Sequence, residues 1–275
     1  MRAALALLPT AANAFAFGIS CWVEGTWEAP YAAQILDLEV TQYWVVDTLA
    51  FSGGTDGLIH LADIDGGGSL GSLPAPAGVI PTGLAWFQGD FYVCRQGDPL
   101  IYKSDGSGGW LTFLNPAGTS GGTLECFDIF GDQLWESEYD GGQARLFVFD
   151  SDGTGAVTID LQGLPGQVTG LAVYPLCVDQ ASDPFGGIIA CCGDSPYFYT
   201  YYVSGTTAYP EPSGPTPFPF PVAQTTGLAC SGTPDGQFFW SYLGTDGVYH
   251  VSEIWFDVNE LAPETWGGIK AGTGE

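Results

Sequence analysis

The sequence predicts an all-β chain, a β-propeller of five or six four-stranded blades, and three observations predict it. Short apolar runs alternate with Gly- and Asp-rich turns along most of the 275 residues. A degraded sequence unit returns every roughly 40–57 residues, the range of propeller blades and outside that of most helical repeats. No long segment shows helical apolar periodicity. Forty-one glycines and 19 prolines suit many short strands joined by tight turns. Four short antiparallel strands per period, arranged radially, protect their own edges, which is the propeller solution.

In chain order, residues 1–32 form an apolar N-terminal segment. Residues 3–23 carry no charge and follow Arg2. Ala12-Asn13-Ala14 resembles a signal-peptidase site, although the apolar core before it is short and Pro9 interrupts it. As a membrane span the stretch is marginal, with Pro9, Asn13 and Gly18 inside. Phe15, Phe17, Ile19 and Trp22 mark a strand with three uses. It closes the ring by pairing with the last blade, adds to a sixth blade, or pairs with a second molecule. The last gives a head-to-tail polymer, because a heterologous contact need not close.

Residues 33–275 are the propeller, with units at about 33–81, 82–121, 122–168, 169–225 and 226–275. A first strand is introduced by Thr-Gly-Leu-Ala at Thr82–Ala85, Thr169–Ala172 and Thr226–Ala229, with the variant Gly122-Thr123-Leu124-Glu125. Small residues there suit strands crowded near an axis. Second strands are read at YWVV 43–46, FYVC 91–94, QLWE 133–136, IIAC 188–191 and FFWS 238–241. Third strands are LIHLAD 58–63, LIYKS 100–104, ARLFVF 144–149, YFYTYY 197–202 and VYHVSEIWF 248–256. The Pro-rich run 210–221 forbids a central strand and reads as an excursion at an outer edge.

The stretch GLAWFQGDFYVCRQGDPLIYKSDG, 83–106, resembles an NHL-type repeat: a Gly-hydrophobic-Ala start, a Gly turn, a Tyr-Val strand, a Gly-Asp turn, an Ile strand and an Asp-Gly end. That superfamily of mostly six-bladed propellers includes gluconolactonase-like hydrolases and many binding modules. The resemblance implies a propeller. It also implies a channel metal held by carboxylates and amides from several blades. Glu125 is the residue that matches such a place, with Ca²⁺ the ion considered. Ala85, Ala172 and Ala229 stand where further ligands would be, leaving Asp37, Glu39 and Asp47 as the carboxylates available to join it.

Seven cysteines and no C-x-x-C pair indicate a disulfide set in an oxidising compartment, with one left over. Cys94 and Cys191 occupy one place in their second strands; Cys126 and Cys230 occupy one place in first strands. The pseudo-symmetry therefore predicts bridges Cys94–Cys126 and Cys191–Cys230, and Cys177–Cys192 would clip the loop between them. Thirty-one Asp and Glu against five Lys and Arg give a net charge of −26, which excludes nucleic acid and anionic membrane surfaces as partners. The Asp-x-Asp-Gly runs at 63–66 and 150–153 lack the twelfth-position Glu of an EF-hand and read as turns. His60 and His250 fall in equivalent third strands, which indicates repeated packing. No nucleophile elbow and no phosphate cradle occur.

The reading that follows is a secreted, extracellular, non-enzymatic propeller acting in structure or interaction, with copies of itself as partner through the N-terminal strand. A metal-dependent lactonase or esterase in the channel is the first alternative. A carbohydrate-binding propeller, using some of its many Trp and Tyr side chains on glycans, is the second.

Overall fold

A computed structural model describes residues 21–29, 34–41, 47–65, 67–118, 121–127, 133–174, 187–193, 195, 197–210, 214–215, 221–231 and 237–256. Every element among them is a β-strand. Blade 1 holds β2 (Ile35–Thr41), β3 (Thr48–Gly53), β4 (Leu58–Asp63) and β5 (Ser69–Pro74), paired in that order. Blade 2 holds β6 (Gly83–Phe87), β7 (Asp90–Cys94), β8 (Leu100–Ser104) and β9 (Trp110–Leu114). Blade 3 holds β10 (Leu124–Phe127), β11 (Gln133–Asp140), β12 (Gln143–Asp150) and β13 (Val157–Leu161). Blade 4 holds β14 (Val168–Tyr174), β15 (Gly187–Cys192), β16 (Tyr197–Ser204) and β17 (Thr207–Pro210), with β18 (Gly214–Pro215) also on β16. One parallel bridge, Asp160 to Thr207, joins the outer strands of blades 3 and 4.

Blade 5 closes the ring. Its inner strands are β19 (Val222–Cys230), β20 (Gln237–Gly244) and β21 (Tyr249–Phe256), and its outermost strand is β1 (Cys21–Glu28) from the other end of the chain. β1 runs antiparallel to β21 from Cys21 opposite Phe256 to Glu28 opposite His250. An edge that would otherwise expose unpaired N–H and C=O groups is thus filled by the chain itself. Trp27 of β1 lies edge-on to Phe239, ring centroids 6.3 Å apart, and seals the seam between blades 5 and 1.

The five first strands meet around the axis through one repeated contact. In each, a leucine is fully buried: Leu38, Leu84, Leu124, Leu171 and Leu228. The residue before it faces the next blade. A Cβ added at Gly83 would lie 2.5 Å from Leu124 N, one at Gly170 2.7 Å from Leu228 N, and one at Gly227 2.6 Å from Leu38 N. Glycine is required there because neighbouring backbones approach within a side chain's thickness. Blade 1 places Asp37 at this position, and its Oδ2 accepts the Leu84 N–H at 2.8 Å. Blade 3 places Thr123 there, with its hydroxyl 3.4 Å from Val168 O.

The second strand of blade 1 is TLAFSG, β3, rather than YWVV; residues 42–46 lie outside the described ones. The true register supplies a small polar residue opposite each axial position: Ser52 opposite Asp37, Cys94 opposite Gly83, Cys191 opposite Gly170 and Ser241 opposite Gly227. In blade 3 Ser137 takes the role, its Oγ accepting the Thr123 N–H at 2.9 Å.

That rule corrects the disulfide expectation. Cys94, Cys191, Cys192 and Cys230 are buried free thiols, so none of the three expected bridges is formed. Cys94 and Cys191 are indeed equivalent, but the position they share is a hydrogen-bonding one that serine fills in three blades. Cys94 Sγ–H donates to Gly122 O at 3.0 Å, and Cys191 Sγ lies 3.8 Å from the Thr169 hydroxyl. Cys177 and the side chain of Cys126 lie outside the described residues.

Candidate functional site: a buried acidic seam

Four carboxyl groups stand where propeller packing calls for small or apolar residues. Asp37 replaces glycine in the axial contact. Glu39 and Glu125 occupy, in blades 1 and 3, the place that alanine fills in the other three: Ala85, Ala172 and Ala229. Glu136 of β11 lies opposite Leu124, where the other second strands carry Phe51, Val93, Ala190 and Trp240. All four acids are buried, Asp37 1%, Glu39 3%, Glu125 3% and Glu136 0% exposed.

Asp37 spends both oxygens on backbone: Oδ1 accepts Leu38 N–H at 2.9 Å and Oδ2 accepts Leu84 N–H. Glu39 Oε1 accepts Val40 N–H at 2.8 Å, and its carboxyl lies within electrostatic reach of that of Glu125. Burial pushes Asp37, Glu39 and Glu125 well above the usual carboxylate range. The repulsion of Asp37 adds to it for both glutamates.

Glu136 sits farther out, between blades 2 and 3. Asn115 Nδ2 donates to its Oε1 at 2.9 Å, and Asn115 Oδ1 is held by Ala117 N–H at 2.8 Å, which fixes the amide's orientation. A Cβ at Gly121 would lie 2.6 Å from Glu136 Oε1, so glycine lets the chain pass over the carboxylate. The best-placed acceptor for the neighbouring Cys94 thiol is Gly122 O. The Cys94 thiol lies beside the same carboxyl and acts on it as a second hydrogen-bonding neighbour. Burial pushes this acid up to about 7, against the pull of the Asn115 donor. Cys94 feels both Glu136 and Asp37 electrostatically, so its thiol lies within reach of the outer acid and of one axial acid.

No described cation reaches this seam. Arg95 is paired with Asp98 at 3.6 Å, Lys103 with Asp90 at 3.5 Å and Arg145 with Asp160 at 3.4 Å. Among the described residues no three His, Cys, Asp or Glu side chains are grouped so as to hold a metal ion. The sequence-named Glu125 is thus brought together with Asp37 and Glu39 but not into a ligand set, and Asp47 is exposed. Phe15, Phe17 and Ile19 lie outside the described residues, as does the side chain of Trp22. Trp135 and Trp240 are core, as their places in the repeat indicate.

Glu136 and Asn115 escaped the sequence reading. The signal for Glu136 was present: an acid in QLWES at a strand position that is apolar in every other unit. Asn115 carried none, since it stands in a blade-to-blade turn where asparagine is ordinary.

The chain matches no protein-family model and no curated protein. Solved propeller structures match it along most of its length. Glutaminyl cyclase of Myxococcus xanthus is 18% identical at a TM-score of 0.58, over 86% of this chain and 96% of that one. The PQQ-bound aldose sugar dehydrogenase of Streptomyces coelicolor is 13% identical at 0.56, over 88% and 99%. A nidogen/laminin complex gives 11% identity at 0.50, over 77% and 73%. These likenesses establish the propeller fold.

Proposed function

We propose that this chain is an acid–base enzyme in which Glu136 moves protons, and that ring closure on a glutaminyl group is the reaction to test first. The observation that carries the reading is a fully buried carboxyl, oriented by Asn115, at a position four other blades fill with apolar side chains. The fold likeness to a glutaminyl cyclase supplies the reaction class as a starting point. In such a closure an amine attacks its own carboxamide. One C–N bond forms, one breaks, and ammonia leaves. A proton must leave the attacking nitrogen and reach the departing one, and a single carboxyl poised near neutrality does both in turn. A seam of acids with no described cation suits a neutral or cationic amine and rejects anions. Substrate access requires the turn Asn115–Gly118 to move off the carboxylate, because Glu136 has no exposure of its own.

The test is ammonia release from a short peptide with N-terminal glutamine. Glu136→Gln is expected to lower kcat/KM by roughly 10²–10⁴-fold. Absence of release by the unaltered protein over a range of such peptides rejects the cyclase reading.

A second reading keeps the non-enzymatic role: a secreted interaction protein that assembles with copies of itself through the apolar residues before β1. It is supported by the charge-free run 3–23 and by the use of this fold in a nidogen/laminin complex. Light scattering on the intact chain tests it, and a monomer at all concentrations rejects it.

A further inference from the structure

Resting on the self-assembly reading above, we infer that β9, the outer strand of blade 2, receives the uncharged N-terminal run of a second copy of this chain as an added strand. The outer strands of a propeller are open edges, and natural sheets protect such edges with charges, prolines or bulges. β1 holds the exposed acids Glu24 and Glu28 and a register shift between Val23 and Gly25. β5 contains Gly71, ends on Pro74 and pairs with β4 through a shift. β13 carries Asp160, which bridges to Thr207 of β17, and β17 ends on Pro210. β9 is WLTFL. It has no charge, proline or glycine, and it pairs with β8 without a shift along its whole length.

The main chain of β9 offers free groups. Asp105 N–H donates to Gly109 O at 3.1 Å, and Asn115 N–H donates to Pro99 O at 2.9 Å. Antiparallel pairing alternates, so residues 109, 111, 113 and 115 turn their main-chain groups toward β8. Trp110, Thr112 and Leu114 turn theirs to the open side. A Cβ at Gly153 of blade 3 would lie 3.2 Å from Leu114 O, so Trp110 and Thr112 give the accessible length. Leu111 and Leu114, 58% and 71% exposed, are the most exposed large hydrophobics among the described residues.

Charge selects the occupant. At a net charge of −26 a neighbouring surface that carries acids is repelled, whereas residues 3–20 carry none. Within that run Phe15, Phe17 and Ile19 alternate with Ala16 and Gly18, the period of a strand with one bulky side. The run joins the ring at its rim, because β1 is the outermost strand of blade 5 and its register opens with Cys21 opposite Phe256. Donor and acceptor belong to different blades, so the contact is heterologous and repeats head to tail.

Light scattering on the intact chain and three variants tests this. The wild type is expected to grow in mass with concentration. Thr112→Pro removes an outward N–H that β8 does not use, and Leu111→Lys puts a charge on the open edge. A chain lacking residues 3–20 has no donor. All three are expected to run at the single-chain mass with a wild-type far-UV spectrum. An equimolar mixture of Thr112→Pro and the shortened chain is expected to double that mass, because one keeps the donor and the other the acceptor. Should Thr112→Pro fail to fold, Leu111→Lys replaces it in the mixture. Assembly unchanged in both β9 variants overturns the inference and leaves the self-assembly reading standing. Assembly lost in the β9 variants but kept by the shortened chain means that β9 pairs with β9 of the second copy, and overturns both. A wild type that stays a monomer at all concentrations also overturns both.

Discussion

Blades 3 and 5 present the same backbone position to the blade before them and fill it in opposite ways. In blade 5 the residue opposite the axial leucine is Trp240. It is fully buried, edge-on to Phe198 with centroids 5.4 Å apart and stacked on Tyr242 at 4.4 Å. In blade 3 it is Glu136, equally buried, with one oxygen held by Asn115 and the Cys94 thiol beside the carboxyl. One seam gains dispersion and desolvation from an aromatic cluster. The other gives up that gain and bears the cost of a buried acid. A fold that repeats its packing five times makes this departure visible, and blade 5 shows the packing that blade 3 gives up.

Removing the aromatic side is expected to have the largest effect. Trp240→Ala should cost roughly 3–5 kcal/mol in urea unfolding, while the folded fraction keeps whatever turnover the wild type has. Making blade 3 resemble the others is expected to work in the other direction. Glu136 is raised in the fold from 4.5 to about 7, so the folded state binds the extra proton. Stability is present below about 4.5 and is lost as pH rises through about 7, by on the order of 3 kcal/mol. Glu136→Leu should flatten this part of the curve and leave the protein more stable than wild type at pH 8. Unfolding curves at pH 5 and pH 8 measure both. A variant with the wild-type pH slope would show that Glu136 is not the titrating group.

Two smaller changes sharpen the comparison by probing the shared frame rather than its exceptions. Gly83→Ala places a Cβ against Leu124 N and Cys94 Sγ, and should cost roughly 1–3 kcal/mol by overpacking. The same change at Gly163, where nothing lies within 4 Å but φ is +82°, tests backbone strain alone. Cys94→Ser should be nearly silent, within about 1 kcal/mol, because serine already fills this position in blades 1, 3 and 5. Reductant should likewise leave the unfolding midpoint unchanged. A large loss on reduction would mean that disulfides form after all.

Much of the architecture was legible because it is local. The Thr-Gly-Leu-Ala signature marks a buried leucine flanked by residues too small to block the next strand, and all five leucines are buried accordingly. Asp-rich turns are equally local. Asp63 Oδ1 accepts Asp65 N–H at 3.0 Å, and Asp152 Oδ1 accepts Thr154 N–H at 2.9 Å, so these runs are turns as read. His60 and His250 repeat one contact, with Asp56 at 2.7 Å and Asp246 at 3.1 Å. The second strand of blade 1 falls at Thr48–Gly53 rather than at YWVV, and blade 1 lacks the glycine signature that marks the register elsewhere, because Asp37 stands in its place.

The sequence by itself determined the period, the strands and the turns, because each depends on residues within a few positions of one another. Only the tertiary structure decided which distant groups meet. Closing the ring brings Glu39 of the first blade to Glu125 of the third, and it lays Asn115 over Glu136 across a blade boundary. Ring closure also settled β1. Strand addition offers the same backbone hydrogen bonds to an edge of its own chain or to a neighbour's, so no sequence pattern distinguishes them; the position of β21 beside the chain's own start does.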